Sequence, residues 1–215
     1  MEKIILVGGG GHCRVVIETI LKQKKYRIAG IIDLPDKIGE EVLSLPVIGC
    51  DKDLGNFFKK GIKNCFISLG SVGDPALRIK LALRVKRIGY CLPNIIHPDS
   101  SVSGYASLGE GVYIGCNAAV NPGAVIGDNC IINTGAIVEH DCKLGDFVHI
   151  ASGAVLSGGV TVGKNSHIGT GSCVIGYLKI GQDTVIGAGS VVVKSIGDKS
   201  VAFGTPCRRI RKNAR

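Results

Sequence analysis

A run of aliphatic residues at every sixth position constrains this chain more than any other feature. From Ile96 to Val192, seventeen successive sixth positions hold isoleucine, leucine or valine, and no insertion interrupts the count. A period of six fits neither an α-helix, with about 3.6 residues per turn, nor one long strand, whose side chains alternate with a period of two. It fits short strands joined by corners, so that three successive repeats close one triangular coil.

Stacked coils of this kind form a parallel β-helix, whose sequence signature is a hexapeptide repeat. The aliphatic residue points inward, and a mostly small residue four positions later fills the space beside it, as at Ala118, Cys130 and Ser166. Each coil buries its apolar side only by stacking on the next coil. An ordinary β-sandwich is the alternative, but the unbroken phase of the seventeen aliphatic residues favours the β-helix.

Composition limits the class of protein further. A chain of 215 residues has room for two modest domains. No apolar stretch reaches the roughly 18 residues of a membrane span, and the N-terminus lacks the apolar core of a secretory signal. Nine cysteines without CxxC pairing indicate a reduced, cytoplasmic protein. Cys130 and Cys142 fall on inward repeat positions, where cysteine acts as a small hydrophobe.

The net charge of +9 is concentrated at the two ends of the chain. Residues 1–92 carry 16 basic and 9 acidic side chains, residues 93–196 carry 4 and 7, and residues 197–215 carry 6 and 1. This distribution indicates anionic ligands near the ends, although solvated surface lysines explain much of it. A nucleic-acid partner is disfavoured, because no recognised binding motif is present and no aromatic residues interleave the basic ones.

The N-terminal segment combines a strand, a glycine loop and a helix. Residues 3–7 predict a buried strand, residues 8–11 are all glycine, and an amphipathic helix follows to about Lys22. Backbone N–H groups at a helix N-terminus form an anion site. A second strand ends at Asp33, where dinucleotide-binding folds hold a ribose. Cys13 stands where the third glycine of GxGxxG would be. A tight strand–helix turn without a ligand therefore remains an alternative interpretation.

The rest of this segment predicts one more strand and one more helix. Residues 64–69 read as a strand, and Asp74 and Pro75 predict the N-cap and first position of a helix that extends to about Ile88. The charge run of that helix predicts a solvated face; it comprises Arg78, Lys80, Arg84, Lys86 and Arg87. Residues 90–96 are strand-like and lead into the first coil.

We therefore predict a mixed fold. Residues 1–92 form a small Rossmann-like α/β domain, too short for both halves of a dinucleotide fold. Residues 93–196 form the β-helix, and residues 197–215 form a basic tail.

The candidate chemistry of the repeat centres on His140, which stands between Glu139 and Asp141. It follows the inward Val138 by two residues, which predicts an outward-facing corner. A neighbouring carboxylate orients the ring and makes it a better general base. Either acid is a candidate orienter, and near the corner we favour Asp141.

A zinc site formed by His140, His149 and His167 is an alternative, by comparison with β-helical carbonic anhydrases. Zinc requires nitrogen ligands within about 2.0–2.1 Å of one ion. The separations of these three histidines along the chain differ from the spacing in those enzymes. His149 and His167 are instead separated by one full coil, which predicts that they stack about 4.8 Å apart. We therefore predict no metal.

Taken together, these segments resemble the bacterial sugar acyltransferases of the NeuD-like O-acetyltransferase and PglD-like nucleotide-amino-sugar N-acetyltransferase group. The resemblance covers nearly the whole chain. It rests on residues 8–12, Asp33, Gly70, residues 94–98, residues 139–142, residues 145–150 and residues 204–206.

The resemblance implies a left-handed β-helix and a homotrimer, with acetyl-CoA in the groove between neighbouring β-helices. His140 would be the general base and Asp141 its acidic partner. The nucleotide-activated sugar would be bound by Gly10, Gly11, His12, Asp33 and Gly70. Acetyl-CoA would be contacted by His149, by backbone near Gly158 and Thr170, and, at its phosphates, by Arg208 and Arg209 in the tail.

We therefore predict a cytoplasmic enzyme of polysaccharide biosynthesis that uses acetyl-CoA to N-acetylate a 4-amino sugar on a nucleotide. Three alternatives stay open: O-acetylation of sialic acid or another sugar hydroxyl, a nucleotide- or NAD-dependent oxidoreductase, and a non-catalytic nucleotide-sugar sensor. Leu34 stands where the family often has a second acid, so the nucleotide base also stays open.

Overall fold

The computed structural model describes residues 1–213 and divides into two compact units. One unit comprises Met1–Ser71 and Ala76–Pro98, and the other comprises Val72–Pro75 and the chain from Asp99 onward. Within the described residues, no helix is both long and apolar enough to traverse a bilayer. The last two residues of the predicted basic tail, 214 and 215, lie outside the described residues.

The first unit is built on a five-stranded sheet with three helices. Its strands are β1 (Glu2–Val7), β2 (Tyr26–Asp33), β3 (Glu41–Val42), β4 (Leu45–Cys50) and β5 (Asn64–Ile67), and its helices are α1 (Gly11–Gln23), α2 (Leu54–Lys59) and α3 (Ala76–Ile88). The strand order is β3-β4-β2-β1-β5. Only the β3–β4 pair is antiparallel. The central strand β1 buries Ile4, Ile5 and Leu6 completely, as a parallel strand covered on both faces does.

Three features of this unit differ from the sequence prediction. Strands β3 and β4 and helix α2 were not predicted, because Pro46 and Gly49 within β4 weaken the strand pattern. Helix α3 begins at Ala76, so Pro75 precedes the helix. The predicted solvated charge run is wrong for Arg78, which is 2% exposed and donates hydrogen bonds to the carbonyls of Ile67 and Leu69.

The repeat forms seventeen two-residue strands, and each ends on one of the aliphatic residues that the period predicted. They are β6 (Ile95–Ile96), β7 (Ser101–Val102), β8 (Ser107–Leu108), β9 (Tyr113–Ile114), β10 (Ala119–Val120), β11 (Val125–Ile126), β12 (Ile131–Ile132), β13 (Ile137–Val138), β14 (Lys143–Leu144), β15 (His149–Ile150), β16 (Val155–Leu156), β17 (Thr161–Val162), β18 (His167–Ile168), β19 (Cys173–Val174), β20 (Lys179–Ile180), β21 (Val185–Ile186) and β22 (Val191–Val192). From Ile114 to Val192 every one of these aliphatic side chains is buried, so they form the core of the second unit.

From β7 to β19, each strand pairs in parallel with the strand one coil later, as Ile131, His149 and His167 do in register. The sixteen strands from β7 to β22 therefore form three faces: a first face (β7, β10, β13, β16, β19, β22), a second face (β8, β11, β14, β17, β20) and a third face (β9, β12, β15, β18, β21). Two strands extend the third face: β23 (Ser200–Gly204), parallel to β21, and β24 (Cys207–Lys212), antiparallel to β23. The parallel β-helix prediction is confirmed.

Candidate active site

His140 and Asp141 form the corner between β13 and β14, at the edge where the first and second faces meet. Both neighbouring coils hold this corner. The backbone N–H of Asp141 donates to the carbonyl of Pro122 at 3.1 Å, and the carbonyl of His140 accepts from the N–H of Gly159 at 2.8 Å. Asp141 has a φ of 60°, a left-handed conformation in which aspartate is enriched. The corner projects His140 outward, as predicted.

The His140 imidazole is paired with Asp141. Its Nδ1 lies 2.9 Å from Asp141 Oδ2, whereas Glu139 accepts a hydrogen bond from the backbone N–H of His140 at 3.3 Å. Because an ionised carboxylate can only accept, the neutral imidazole carries its proton on Nδ1, and Nε2 is then the acceptor. The two side chains are 52% and 69% exposed, so Nε2 is accessible to a substrate.

Two glycines, each one coil away, make room for this pair. A Cβ at Gly158 would collide with His140 Nε2, so Nε2 lies directly over the Gly158 backbone. A Cβ at Gly123 would lie 2.5 Å from Asp141 Oδ1, and Gly123 has a φ of 75°. The spatial role of Gly123 was missed by sequence reasoning. Its signal was available, because Gly123 precedes Asp141 by three repeats, the length of one coil.

His149 and His167 stack on the third face, as their spacing predicted. Their ring centroids are 4.8 Å apart with an interplanar angle of 77°, and the side-chain amide of Asn133 lies 3.3 Å from His149 Nε2. Both histidines are buried. Within residues 1–213, the ligand atoms of His140, His149 and His167 do not gather within 4.8 Å of one another, so these three do not form the zinc site considered above.

One chain does not bring all the predicted acyl-transfer residues together. In a triangular coil, the corner between the first and second faces lies opposite the third face, so His140 and His149 are on opposite sides. Thr170 lies in the corner after β18, at the edge between the third and first faces. Gly158 is therefore the only one of the predicted acetyl-CoA contacts among His149, Gly158 and Thr170 that shares the corner of His140.

The glycine loop after β1 is tied to the end of β2 by Asp33. The N–H of Gly9 donates to Asp33 Oδ2 at 2.7 Å, and the N–H of Leu34 donates to Oδ1 at 2.8 Å. A Cβ at Gly9 would lie 2.6 Å from Asp33 Oδ2, which explains why this position is glycine. Asp33 thus fixes the loop, and Lys37 Nζ lies 3.8 Å from the same Oδ2. The second lone pair of Oδ1 stays available to a ligand hydroxyl.

The other predicted nucleotide-sugar residues gather around the same loop. A Cβ at Gly10 or Gly11 would have no heavy atom within 4 Å, so the N-terminus of the 13-residue helix α1 is open to an anion. A Cβ at Gly70 would lie 3.3 Å from the Cβ of His12, so these two residues are neighbours. Cys13 fills the place of the third glycine, and burial raises its pKa to about 11, so it is an un-ionised packing group.

A cleft of about 300 Å³ opens beside this loop at the carboxyl ends of β1, β2 and β4. Ligands of open α/β sheets bind at this edge. The apolar lining comprises Val7, Ile32, Leu34, Pro35, Leu69, Leu77 and Leu81, and the polar lining includes Asp33, Asp51, Lys52 and Arg84. Sequence reasoning missed Asp51, because it follows the unpredicted strand β4.

The predicted basic tail contains strands β23 and β24, and Arg208 and Arg209 are exposed on β24. Both arginines are therefore accessible to an anionic ligand.

Comparison with known proteins relates both units to described families. Residues 3–85 match the PglD N-terminal domain family. Residues 105–140, 123–158 and 141–176 match the bacterial transferase hexapeptide family, and residues 177–201 match the hexapeptide repeat of succinyl-transferase. No match was found among curated proteins. The fold is thus a small α/β domain followed by a left-handed β-helix of hexapeptide repeats.

Solved structures resemble the chain over its full length. A mutant of perosamine N-acetyltransferase from Caulobacter crescentus, in complex with CoA and GDP-perosamine, is 39% identical, covers 99% of this chain and 98% of its own, and has a TM-score of 0.93. The acetyltransferase domain of PglB from Neisseria gonorrhoeae is 35% identical, with coverages of 98% and 100% and a TM-score of 0.89. WeeI from Acinetobacter baumannii, at 22% identity, 98% and 100% coverage and a TM-score of 0.82, shares the fold.

Proposed function

The chain belongs to the PglD-like family of sugar acetyltransferases, and from this membership we propose that it N-acetylates the 4-amino group of a nucleotide-activated amino sugar. The acyl donor is acetyl-CoA. The observation that carries the proposal is the His140–Asp141 pair, which leaves an accessible Nε2 acceptor over the Gly158 backbone. This arrangement suits proton removal from an attacking amine.

In the proposed reaction, the neutral sugar amine attacks the thioester carbonyl carbon, and one of its N–H protons passes to Nε2 of His140. A C–N bond forms and the carbonyl oxygen becomes an oxyanion, which we assign to a backbone N–H near Gly158 on the adjacent coil. Collapse of the tetrahedral intermediate then breaks the C–S bond. The CoA thiolate leaves and receives the proton from the imidazolium, while Asp141 holds Nδ1–H throughout.

We place the nucleotide portion of the substrate on residues 1–92. The diphosphate would meet the open N-terminus of α1 at Gly10 and Gly11, with His12 and Gly70 beside it. The ribose would meet Asp33. Support for this placement comes from the open space over the two glycines and from the cleft that adjoins Asp33.

We place acetyl transfer on residues 93–196 of a homotrimer, with acetyl-CoA between neighbouring β-helices. His149 and Thr170 lie on other sides of the coil from His140, so they can share its site only if a neighbouring copy contributes them. The exposed Arg208 and Arg209, in the tail of residues 197–215, are proposed to pair with CoA phosphates. The cytoplasmic location stays a prediction.

The proposal is tested by following free CoA thiol while acetyl-CoA is offered with nucleotide-linked 4-amino sugars. We expect steady CoA release that depends on the amino sugar. Acetyl-CoA binding without CoA release from any amino sugar in the panel would contradict the proposed acceptor, and would favour the O-acetyltransferase or the non-catalytic alternative.

Replacement of Asp33 by alanine is expected to raise KM for the nucleotide sugar by about 10- to 100-fold. The change removes an acceptor for the ribose and the carboxylate that holds Gly9, and each such buried hydrogen-bonding group contributes roughly 1–3 kcal/mol. KM for acetyl-CoA should stay within about two-fold of the wild-type value, because the proposed CoA contacts lie in residues 93–215. Equal increases in both KM values would contradict a role in nucleotide binding.

A further inference from the structure

The cleft beside Asp33 contains a charged pair, Asp51 and Arg84, that the proposed reaction leaves unused. Asp33 on β2 is paired in register with Cys50 on β4. Asp51 is the residue after Cys50, so it lies close to the proposed ribose site. Arg84 of α3 reaches across to it, with Nη1 3.4 Å from Asp51 Oδ2. These side chains are 39% exposed for Asp51 and 41% for Arg84, so both can contact a ligand in the cleft.

Besides Asp33, this pair and Lys52, the cleft is lined mainly by apolar side chains. They include Leu34, Pro35, Leu77 and Leu81. Leu34 is 58% exposed and Leu77 is 55% exposed, so both leave apolar surface uncovered at the cleft. A planar nucleobase that enters between them would cover this apolar surface and would place its polar edge against Asp51 and Arg84.

We propose that this pair recognises guanine, so that the substrate is a GDP-linked amino sugar; this inference rests on the proposed function. Guanine presents three adjacent groups along one edge: the O6 acceptor, the N1–H donor and the N2 amino donor. An arginine supplies only donors and a carboxylate supplies only acceptors. Arg84 can therefore donate to O6 while the two oxygens of Asp51 accept from N1–H and the N2 amino group, a bidentate arrangement.

The other bases do not match this order of groups. Uracil and thymine offer an acceptor, one donor and then a second acceptor, which would face the Asp51 carboxylate. Cytosine and adenine offer a donor where Arg84 requires an acceptor. Hypoxanthine keeps O6 and N1–H but lacks the amino group, so it would leave one Asp51 oxygen unpaired. The acceptor–donor–donor edge of guanine alone satisfies both side chains.

The decisive experiment measures the affinities of GDP, IDP, XDP and UDP for the full-length protein by calorimetry, with wild type, Asp51→Asn and Asp36→Asn. Asp36 is an exposed acid on the neighbouring turn that does not line the cleft, so it serves as the matched control. We expect wild type to bind GDP about 10-fold or more tightly than IDP or UDP, since one well-formed base contact discriminates by about that factor.

The asparagine variant should reverse the preference between two purines. Its amide oxygen still accepts from N1–H, but its amide nitrogen donates, which suits the 2-keto oxygen of xanthine and opposes the amino group of guanine. We expect Asp51→Asn to weaken GDP binding by about 10- to 100-fold and to bind XDP more tightly than GDP, with Asp36→Asn unchanged. Equal affinity of wild type for GDP and UDP, or an Asp51→Asn variant that still prefers GDP to XDP, would overturn the inference.

Measurement of kcat/KM with GDP- and UDP-linked amino sugars tests this inference separately from the proposed function. Efficient acetylation of a UDP-linked amino sugar, with kcat/KM equal to or above that of its GDP-linked counterpart, would refute guanine recognition and leave the acetyltransferase proposal intact. Selective GDP binding without acetylation of any amino sugar would refute the proposed acceptor and leave the base assignment intact.

Discussion

Replacement of His140 by alanine is expected to lower kcat by about 10²–10⁴-fold, the usual contribution of a general base. The expectation follows from the 2.9 Å contact between Nδ1 and Asp141, which leaves Nε2 as the proton acceptor at an exposed corner. The measurement is steady-state CoA release with saturating acetyl-CoA and amino sugar. Because the proposed binding contacts are elsewhere, KM for the nucleotide sugar should change little.

The thermal midpoint provides the control for this variant. The His140 side chain is 52% exposed and lies outside the aliphatic core, so its removal should leave the folded state intact. A variant that has the thermal midpoint of the wild type and also keeps the wild-type kcat would show that His140 is not the base. Partial recovery of kcat by added imidazole, with no effect on the wild type, would support its chemical role over a structural one.

Replacement of Gly158 by alanine is expected to lower kcat by about 10²-fold while the fold is kept. A methyl group at this position would collide with Nε2 of His140. The imidazole is the mobile end of a side chain, so it can turn away and lose its alignment with Asp141 and the substrate. Misplacement of a catalytic group by about 1 Å is sufficient for a loss of this size. Kinetics of CoA release and a thermal melt are the measurements.

Gly104→Ala is the matched control. Gly104 occupies the same position in the coil three coils earlier, and a Cβ there would meet no atom within 4 Å. It should therefore retain the wild-type kcat. Equal losses in Gly104→Ala and Gly158→Ala would mean that corner glycines matter for folding or assembly and not for the placement of His140.

The repeat made the second unit predictable from sequence. The six-residue spacing of the aliphatic residues determines where each strand lies, where each corner lies and which side chain points inward. The same count placed His140 at a corner and stacked His149 on His167. Adjacency along the chain made both Glu139 and Asp141 candidate partners of His140, and the predicted corner favoured Asp141, whose Oδ2 lies 2.9 Å from Nδ1. The residue count could also have shown that His149 and Thr170 lie on other sides of the coil from His140, since each face recurs once per coil.

The first unit was less predictable, because its site depends on long-range packing. Strand β4 contains Pro46 and Gly49, so its pattern is weak, and its pairing with β2 is what places Asp51 beside Asp33. Arg78 looked like one more solvated cation on a basic helix. Only the packing of α3 against the end of β5 shows that it is buried and bonded to the carbonyls of Ile67 and Leu69.

The most direct test of the central claim is the chemical nature of the bond formed. The enzyme would be incubated with acetyl-CoA labelled in the acetyl group and with a GDP-linked 4-amino sugar, and the product would be isolated and treated with mild alkali. We predict that the label enters the nucleotide sugar and survives, because an amide resists alkali that cleaves an acetyl ester. Label that enters the sugar and is released by alkali would mean transfer to a hydroxyl, and would contradict N-acetylation.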